Sequence, residues 1–227
     1  MQQNPLRTDI AFLGDVHGKW SQYRQLIGQY ETTVQVGDMG FGFPGWQKTD
    51  PHKFKGNHHF IRGNHDSPEV IRRHPNYLGD FGYDAQLDIF FVGGANSIDK
   101  AWRIPGSSWW EDEELSYTQF QNVIDLYNKI KPRVVVTHDC PKTVQMFLVS
   151  HHDENSVTNM ALQRMLEDHQ PDVWIFGHHH KWFHNRIYGT IFQCVPELRA
   201  ITLEGILDGD NPLHMSSKKG MARQKLV

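Results

Sequence analysis

The segment "DIAFLGDVHG", residues 9–18, sets a short apolar run against a glycine and then against two cation-binding side chains, Asp15 and His17. A run of four to six residues rich in β-branched and aromatic types, closed by a turn signal, reads as a buried strand. The same form returns in "TTVQVGD" (32–38), "HFIRGNHD" (59–66), "LDIFFVGGAN" (87–96), "RVVVTHD" (133–139) and "DVWIFGHHH" (172–180). Between several of these runs lie helical patterns. Residues 19–30 carry Trp20, Tyr23, Leu26, Ile27 and Tyr30 on one face. Residues 116–130 carry Phe120, Val123, Ile124, Tyr127 and Ile130, with Ser116 and Gln119 spaced as a capping box, and 156–168 carry Val157, Met160, Ala161 and Met165. Strands alternating with helices predict α/β layers, the sheet covered on both faces. "TIFQCV" (190–195) and "LRAITLE" (198–204) follow each other with no helix between, which predicts antiparallel pairing late in the chain.

Composition bounds the rest. The 227 residues are 38% hydrophobic and 22% charged, with a net charge of -3, the balance of a soluble globular protein. That charge gives no general pull towards nucleic acid or anionic lipid. Two cysteines, Cys140 and Cys194, are too few for a disulfide framework. The first residues lack a signal pattern, and no run approaches the roughly 18 apolar residues of a membrane span. The expectation is a cytoplasmic protein with no membrane partner, residues 1–208 forming one domain. Residues 209–227, polar and then basic at Lys218, Lys219, Arg223 and Lys225, are expected to be a flexible tail. The oligomeric state is left open. Fifteen histidines stand out, so their placement matters.

Immediately after the strands come Asp15 and His17, then Asp38, then Asn64, His65 and Asp66, then His138, then His178, His179 and His180. In α/β sheets the C-terminal strand ends form the crevice where ligands bind. A lone Asp or His there is usually a turn former or helix cap. Five successive units that all end in metal-competent side chains are not explained that way. Carboxylate, imidazole and amide oxygen together suit Mn, Fe, Ni or Zn. The ligands are too many for one ion with an open position, and fit two ions sharing a carboxylate.

The series "GDVHG", "GD", "GNHD", "THDCP" and "GHHH", in that order from Gly14 to His180, resembles the calcineurin-like metallophosphoesterase superfamily. The resemblance implies a four-layer α/β/β/α sandwich of two mixed β-sheets flanked by helices. It implies that Asp15, His17 and His180 bind a first metal ion, that Asp38 bridges, and that Asn64, His138 and His178 complete a second site. His65 is then the catalytic residue beside the leaving-group oxygen, and His179 is left free. The implied activity is metal-dependent phosphoester hydrolysis by a hydroxide bridging two divalent ions about 3.5–4 Å apart. Mn is the first choice of metal, with Fe, Ni and Zn as alternatives.

Departures from the family's patterns bear on the substrate. Protein Ser/Thr phosphatases carry "GDxxDRG" and "GNHE"; here Phe41 and Gly42 stand where Asp and the phosphate-binding Arg would be, and Asp66 replaces Glu. The reading leans to a phosphodiesterase acting on a nucleotide or nucleic acid. A phosphomonoesterase, including a Ser/Thr protein phosphatase, is the second reading. A non-catalytic metal-binding scaffold is the third, opposed by the retention of His65 and every ligand.

The segment "GGANSIDKAWRIPGSSWWEDEELS" (93–116) offers Arg103 or Lys100 for a phosphate oxygen and Trp109 and Trp110 for stacking on a base. The tryptophans could equally fill a gap under the loop. The acid run Glu111–Glu114 reads as a solvated helix start, Cys140 as small and buried, and Asp66 as a cap or support. His151 and His152 read as polar-loop residues, and "GFGFPGW" (40–46) as a rim or packing. "GNH" also occurs twice, at 56–58 and 63–65. With a strand over roughly His58 to Arg62, the second copy lies at the metal end, and the first at the opposite end or in the incoming loop.

Overall fold

The structure is a computed structural model that describes residues 5–44, 56–149 and 156–210. The strands are β1 (Ala11–Leu13), β2 (Thr32–Gln35), β3 (Asn57–Phe60), β4 (Phe81–Asp84), β5 (Ile89–Val92), β6 (Val134–Thr137), β7 (Val173–Phe176), β8 (Phe183–Ile187), β9 (Thr190–Cys194) and β10 (Ala200–Thr202). The helices are α1 (Trp20–Ile27), α2 (Pro68–Ile71), α3 (Tyr117–Ile130), α4 (Lys142–Gln145), α5 (Val157–Asp168) and α6 (Leu203–Asp208).

Two sheets form, in the orders β10-β1-β2-β3 and β4-β5-β6-β7-β9-β8. Both are mixed: β1, β2 and β3 run parallel with β10 antiparallel, and β5, β6, β7 and β9 run parallel with β4 and β8 antiparallel at the edges. The antiparallel pairing expected late in the chain is present, but β9 and β10 join different sheets rather than each other.

Period-two alternation distributes the side chains into layers. Phe12, Val34, Ile89, Phe91, Val134, Val136, Val173 and Ile175 fill the space between the sheets. Their neighbours Ala11 and Leu13 face the opposite way, onto Trp20, Tyr23 and Ile27 of α1 and Ile71 of α2. Phe90, Val92, Val135, Trp174 and Phe176 turn outward onto Phe120, Val123 and Tyr127 of α3 and Leu162, Met165 and Leu166 of α5. The result is the α/β/β/α sandwich. Each fully buried large side chain contributes about 1.5–3 kcal/mol relative to exposure.

Local signals set the helix ends. Ser116 and Gln119 form the capping box that opens α3, and Lys131 closes it in the left-handed region at φ 50°. The Ser156 hydroxyl accepts from Asn159 N at the start of α5. The pattern read over 19–30 forms helix only to Ile27, because Gly28 and the turn after it end α1.

Two expectations are corrected. β3 begins at Asn57 and ends at Phe60, earlier than the His58–Arg62 span expected, so Asn57 and His58 of the first "GNH" lie inside the strand. Buried His58 meets the Thr33 hydroxyl across to β2 (3.1 Å), which is a packing role. The acid run Glu111–Glu114 is not a solvated helix start. Glu113 is buried, and Glu114 accepts from Thr158 N and both the Ser156 and Thr158 hydroxyls at the start of α5. Unpaired donors inside the fold drew both carboxylates in. His151, His152, Trp46 and the basic residues of 211–227 lie outside the described residues.

Candidate metal centre

Because β1, β2, β3, β6 and β7 run the same way within their sheets, the loops after them gather at one end of the sandwich. The structure brings all the expected ligands together there. Asp15, His17, Asp38 and His180 form one cluster, and Asp38, His138 and His178 form another, so Asp38 belongs to both. Asn64 joins the second cluster, its Oδ1 lying 3.1 Å from both His138 Nε2 and His178 Nδ1. The first cluster is the open one: the His17 and His180 side chains are 21% and 45% exposed, whereas those of His138 and Asp15 are fully buried.

The donor atoms converge as they would around cations. His138 Nδ1 donates to the Val36 carbonyl (2.8 Å), so Nε2 is the nitrogen left to ligate a cation, and without one it carries the second proton of the imidazolium. Nε2 faces Asn64 Oδ1 and, at 3.3 Å, Asp38 Oδ1, two acceptors that suit either that proton or a metal ion in its place. In the open cluster His17 Nε2 and His180 Nε2 are 2.9 Å apart. Asp15 Oδ2 is buried and outside hydrogen-bonding geometry with any donor, although His180 Nε2 is 2.8 Å away.

The electrostatics agree. Burial opposes a charged His138, yet the Asp38 carboxylate beside it lifts its pKa to about 10. Burial likewise opposes an ionised Asp38, but the surrounding imidazoles, His138 first, hold it well below the carboxylate range. His178 is driven the other way, to about 4, chiefly by burial, and so presents a neutral nitrogen. The pocket is built to hold positive charge, and the residue set fits divalent ions.

Backbone strain points to the same place. His17, Asp38, His178 and His180 have φ of 47°, 60°, 62° and 53°, in the left-handed region that non-glycine residues seldom enter. Such residues cost of order 1–3 kcal/mol each and persist at functional sites. Close approach explains two of the motif glycines. A Cβ at Gly63 would collide with Asp38 Oδ1 and His138 Nε2, and one at Gly177 with Asp15 Oδ1.

A family model described as calcineurin-like phosphoesterase matches residues 8–182, well over half of the chain. The chain belongs to the calcineurin-like phosphoesterases. These are metal-dependent phosphoester hydrolases with a dinuclear divalent centre, and the two clusters sharing Asp38 are the place for it here. No curated protein matches. Among solved structures, the chain is similar to a dimetal phosphatase from Danio rerio, with 13% identity, 83% of this chain and 87% of that one covered, and a TM-score of 0.48. It is also similar to an archaeal phosphodiesterase (15% identity, 83% of each chain, TM-score 0.38). A phosphopantetheinyl hydrolase from Mycobacterium tuberculosis gives 10% identity, 84% and 90% coverage, and a TM-score of 0.46.

Around the phosphoesterase centre, His65 stands beside the open cluster, its ring 5.0 Å from that of His17 and stacked on Phe43 at 5.5 Å. Arg103 Nη2 reaches His65 Nε2 at 2.7 Å, and Arg103 Nε is held by Asp99 Oδ1, also at 2.7 Å. A guanidinium only donates, so His65 Nε2 is the acceptor and the imidazole is neutral in this arrangement. Burial pushes the His65 pKa down, and the charge of Arg103 adds to that against the pull of Asp38. Of the other residues in the 93–116 loop, Lys100 donates to Asn96 Oδ1 at 3.4 Å. Trp110 meets Phe43 edge-on at 5.3 Å, and Trp109 closes a turn with its carbonyl on Gly106 N.

Asp66 supports the loops rather than capping a helix. It accepts from Met39, Gly40, Phe41 and Gly63 N–H at 2.8–3.2 Å, tying the loop after β2 to the loop after β3. Sequence reasoning missed Ser97, Asp99, Asp139 and Asn159, and left His179 without a role. His179 Nε2 lies 3.2 Å from Asp139 Oδ1, whose second oxygen accepts from Asn159 Nδ2 at 2.8 Å, so this network braces the "HHH" loop. Cys140 is buried, as expected, with its sulfur 3.5 Å from His179 Nε2.

Proposed function

We propose that this phosphoesterase is a phosphodiesterase acting on a nucleotide or nucleic acid, with manganese as its metal. The observation that carries the reading is that, among the described residues, one cation, Arg103, reaches His65 Nε2. Where the monoester-specific relatives place an acid and an arginine, Phe41 is buried against Trp20, Phe60 and His74. Gly42 holds φ 87°, and a Cβ there would collide with Ser67. No clamp can stand at that position. One guanidinium matches the single charge of a diester better than the double charge of a monoester.

When bound, two divalent ions supply a nucleophile acidified to act near neutral pH and neutralise charge on the phosphoryl group. Asp15, His17 and His180 would hold one, Asn64, His138 and His178 the other, and Asp38 both. Arg103 moves from His65 to a phosphate oxygen, and Asp99 keeps it on line. Release of His65 Nε2 frees that nitrogen to take up a proton from solvent water and pass it to the departing oxygen. Trp102, 90% exposed and adjacent to Arg103, offers a flat face for a base.

The test is a comparison of bis-p-nitrophenyl phosphate with p-nitrophenyl phosphate in Mn, followed by cyclic nucleotides, dinucleotides, oligonucleotides and phosphopeptides with Mn, Ni and Zn. A diester preference in kcat/KM and turnover of a nucleotide diester are expected. Preference for the monoester and for phosphopeptides would overturn the reading.

A further inference from the structure

The buried carboxylate of Glu113 reaches the centre through one intermediary. Glu113 Oε1 accepts from Ser97 N at 2.9 Å and Oε2 from the Ser97 hydroxyl at 2.5 Å. With its only proton given to the carboxylate, Ser97 Oγ faces Asn64 as an acceptor, and Asn64 Nδ2 donates to it at 3.0 Å. An amide has one donor end and one acceptor end. Fixing Nδ2 on Ser97 therefore turns Oδ1 towards His138 Nε2 and His178 Nδ1. The flipped amide would aim an NH2 group, which cannot ligate a cation, at the point where those two nitrogens converge.

The segment that carries Glu113 is itself tied to the end of β3, which leads into Asn64. Fully buried Arg62 donates from Nη1 to the Glu113 carbonyl at 2.5 Å and from Nε to Asp80 Oδ1 at 2.9 Å. Gly94 N bonds to the Arg62 carbonyl at 2.8 Å. The loop after β5 thus delivers both Ser97 and Glu113 to the same place by rigid contacts.

We infer that Glu113 and Ser97 are positioning residues that set the amide orientation of Asn64, and with it the affinity of the buried metal position. The inference rests on the dinuclear reading of the site. Neither residue touches an ion or substrate. Outer partners of metal ligands commonly account for about 10–100-fold in affinity. Glu113→Gln inverts the relay: its NH2 group donates to Ser97 Oγ, the hydroxyl proton turns to Asn64, and the amide is driven to flip. Ser97→Ala removes the relay, and Ser97→Thr keeps it.

Calorimetric titration of metal-free full-length protein with Mn, together with 15N spectra of the Asn64 side-chain amide before metal is added, tests this. In wild type, two ions and a slowly exchanging Asn64 NH2 pair are expected. Ser97→Ala and Glu113→Gln should weaken one of the two ions about 10–100-fold, leave the other unchanged and speed exchange of that NH2 pair, with Ser97→Thr near wild type. Two unchanged affinities and an unchanged Asn64 amide in folded Ser97→Ala would overturn the inference. A wild type that binds fewer than two ions would instead overturn the dinuclear reading, and the amide spectra of the metal-free variants would still decide the relay.

Discussion

Asp38→Asn isolates charge from shape. Asp38 is the residue shared by both clusters among the described residues, and its Oδ1 also accepts from His65 N at 2.7 Å, a bond that asparagine's oxygen can keep. What asparagine lacks is the negative charge beside His138. In metal-free protein burial opposes a charged His138, yet that charge, with smaller help from Asp15 and the Val36 carbonyl, raises it from the ordinary imidazole value of 6.5 to about 10. The interval spans about 3.5 pH units, on the order of 5 kcal/mol of preference for the imidazolium in the folded state. Because the folded pKa is the higher one, this stabilisation is fully present below pH 6.5 and fades as pH rises through about 10. Metal-free wild type should therefore exceed Asp38→Asn in stability most at pH 6, and the gap should close towards pH 10. Urea unfolding of the chelator-treated proteins at several pH values reads the gap, and NMR titration of the His138 ring reads the pKa itself. A gap independent of pH between 6 and 10, or a wild-type His138 titrating near 6.5, would refute the reasoning. With metal supplied, the same variant should lose the second ion and most of its activity.

Other perturbations address separate parts of the account. His65→Asn should reduce turnover by about 10²–10⁴, most for poor leaving groups; a uniform loss across a leaving-group series would assign His65 to binding instead. Arg103→Ala should raise KM for a diester substrate about tenfold or more, with Asp99→Asn giving a smaller effect in the same direction, as steady-state kinetics would show. Gly63→Ala places a methyl group against Asp38 Oδ1 and His138 Nε2, so its metal content by elemental analysis should fall while circular dichroism reports a retained fold. Asp80 binds Arg62, Arg72 and Tyr77, and although burial works to raise its pKa, the Arg62 charge holds it below 3.8. Its stabilisation is thus present above about pH 4 and lost as pH falls through the lower folded value. Asp80→Asn should cost about 3 kcal/mol or more at pH 7, because fully buried Arg62 loses its partner charge, and urea unfolding would show the difference shrinking at acid pH.

The layers were legible because local rules and tertiary demands coincide in them. "VVVT" and "VWIF" are apolar on both faces, and they occupy the centre of the larger sheet with both faces covered. The edge strands β4 and β8 were not legible. "FGYD" and "FHNRI" are half polar and carry a glycine or charges, since an edge strand needs little burial. The ligands could be read because each follows an apolar run directly, and chain direction then assigns them to one end. Glu113 could not be read that way. Its neighbours Glu111 and Asp112 are exposed, and only the three-dimensional return of the loop onto Ser97 distinguishes it. The same holds for Arg103, whose contact with His65 joins residues 38 apart in sequence. The earlier "GNH" copy shows the converse: one strand-length away, its His58 packs against Thr33 while Gly56 and Asn57 are exposed, and none of the three joins the centre.

Electron paramagnetic resonance of the metal-free protein titrated with Mn tests the dinuclear centre most directly. Saturation at two ions per chain with a spin-coupled Mn pair is the expected result, because Asp38 belongs to both clusters and would serve both ions. Saturation at a single ion, or two ions with uncoupled spectra, would contradict the shared carboxylate on which the reading of this site depends.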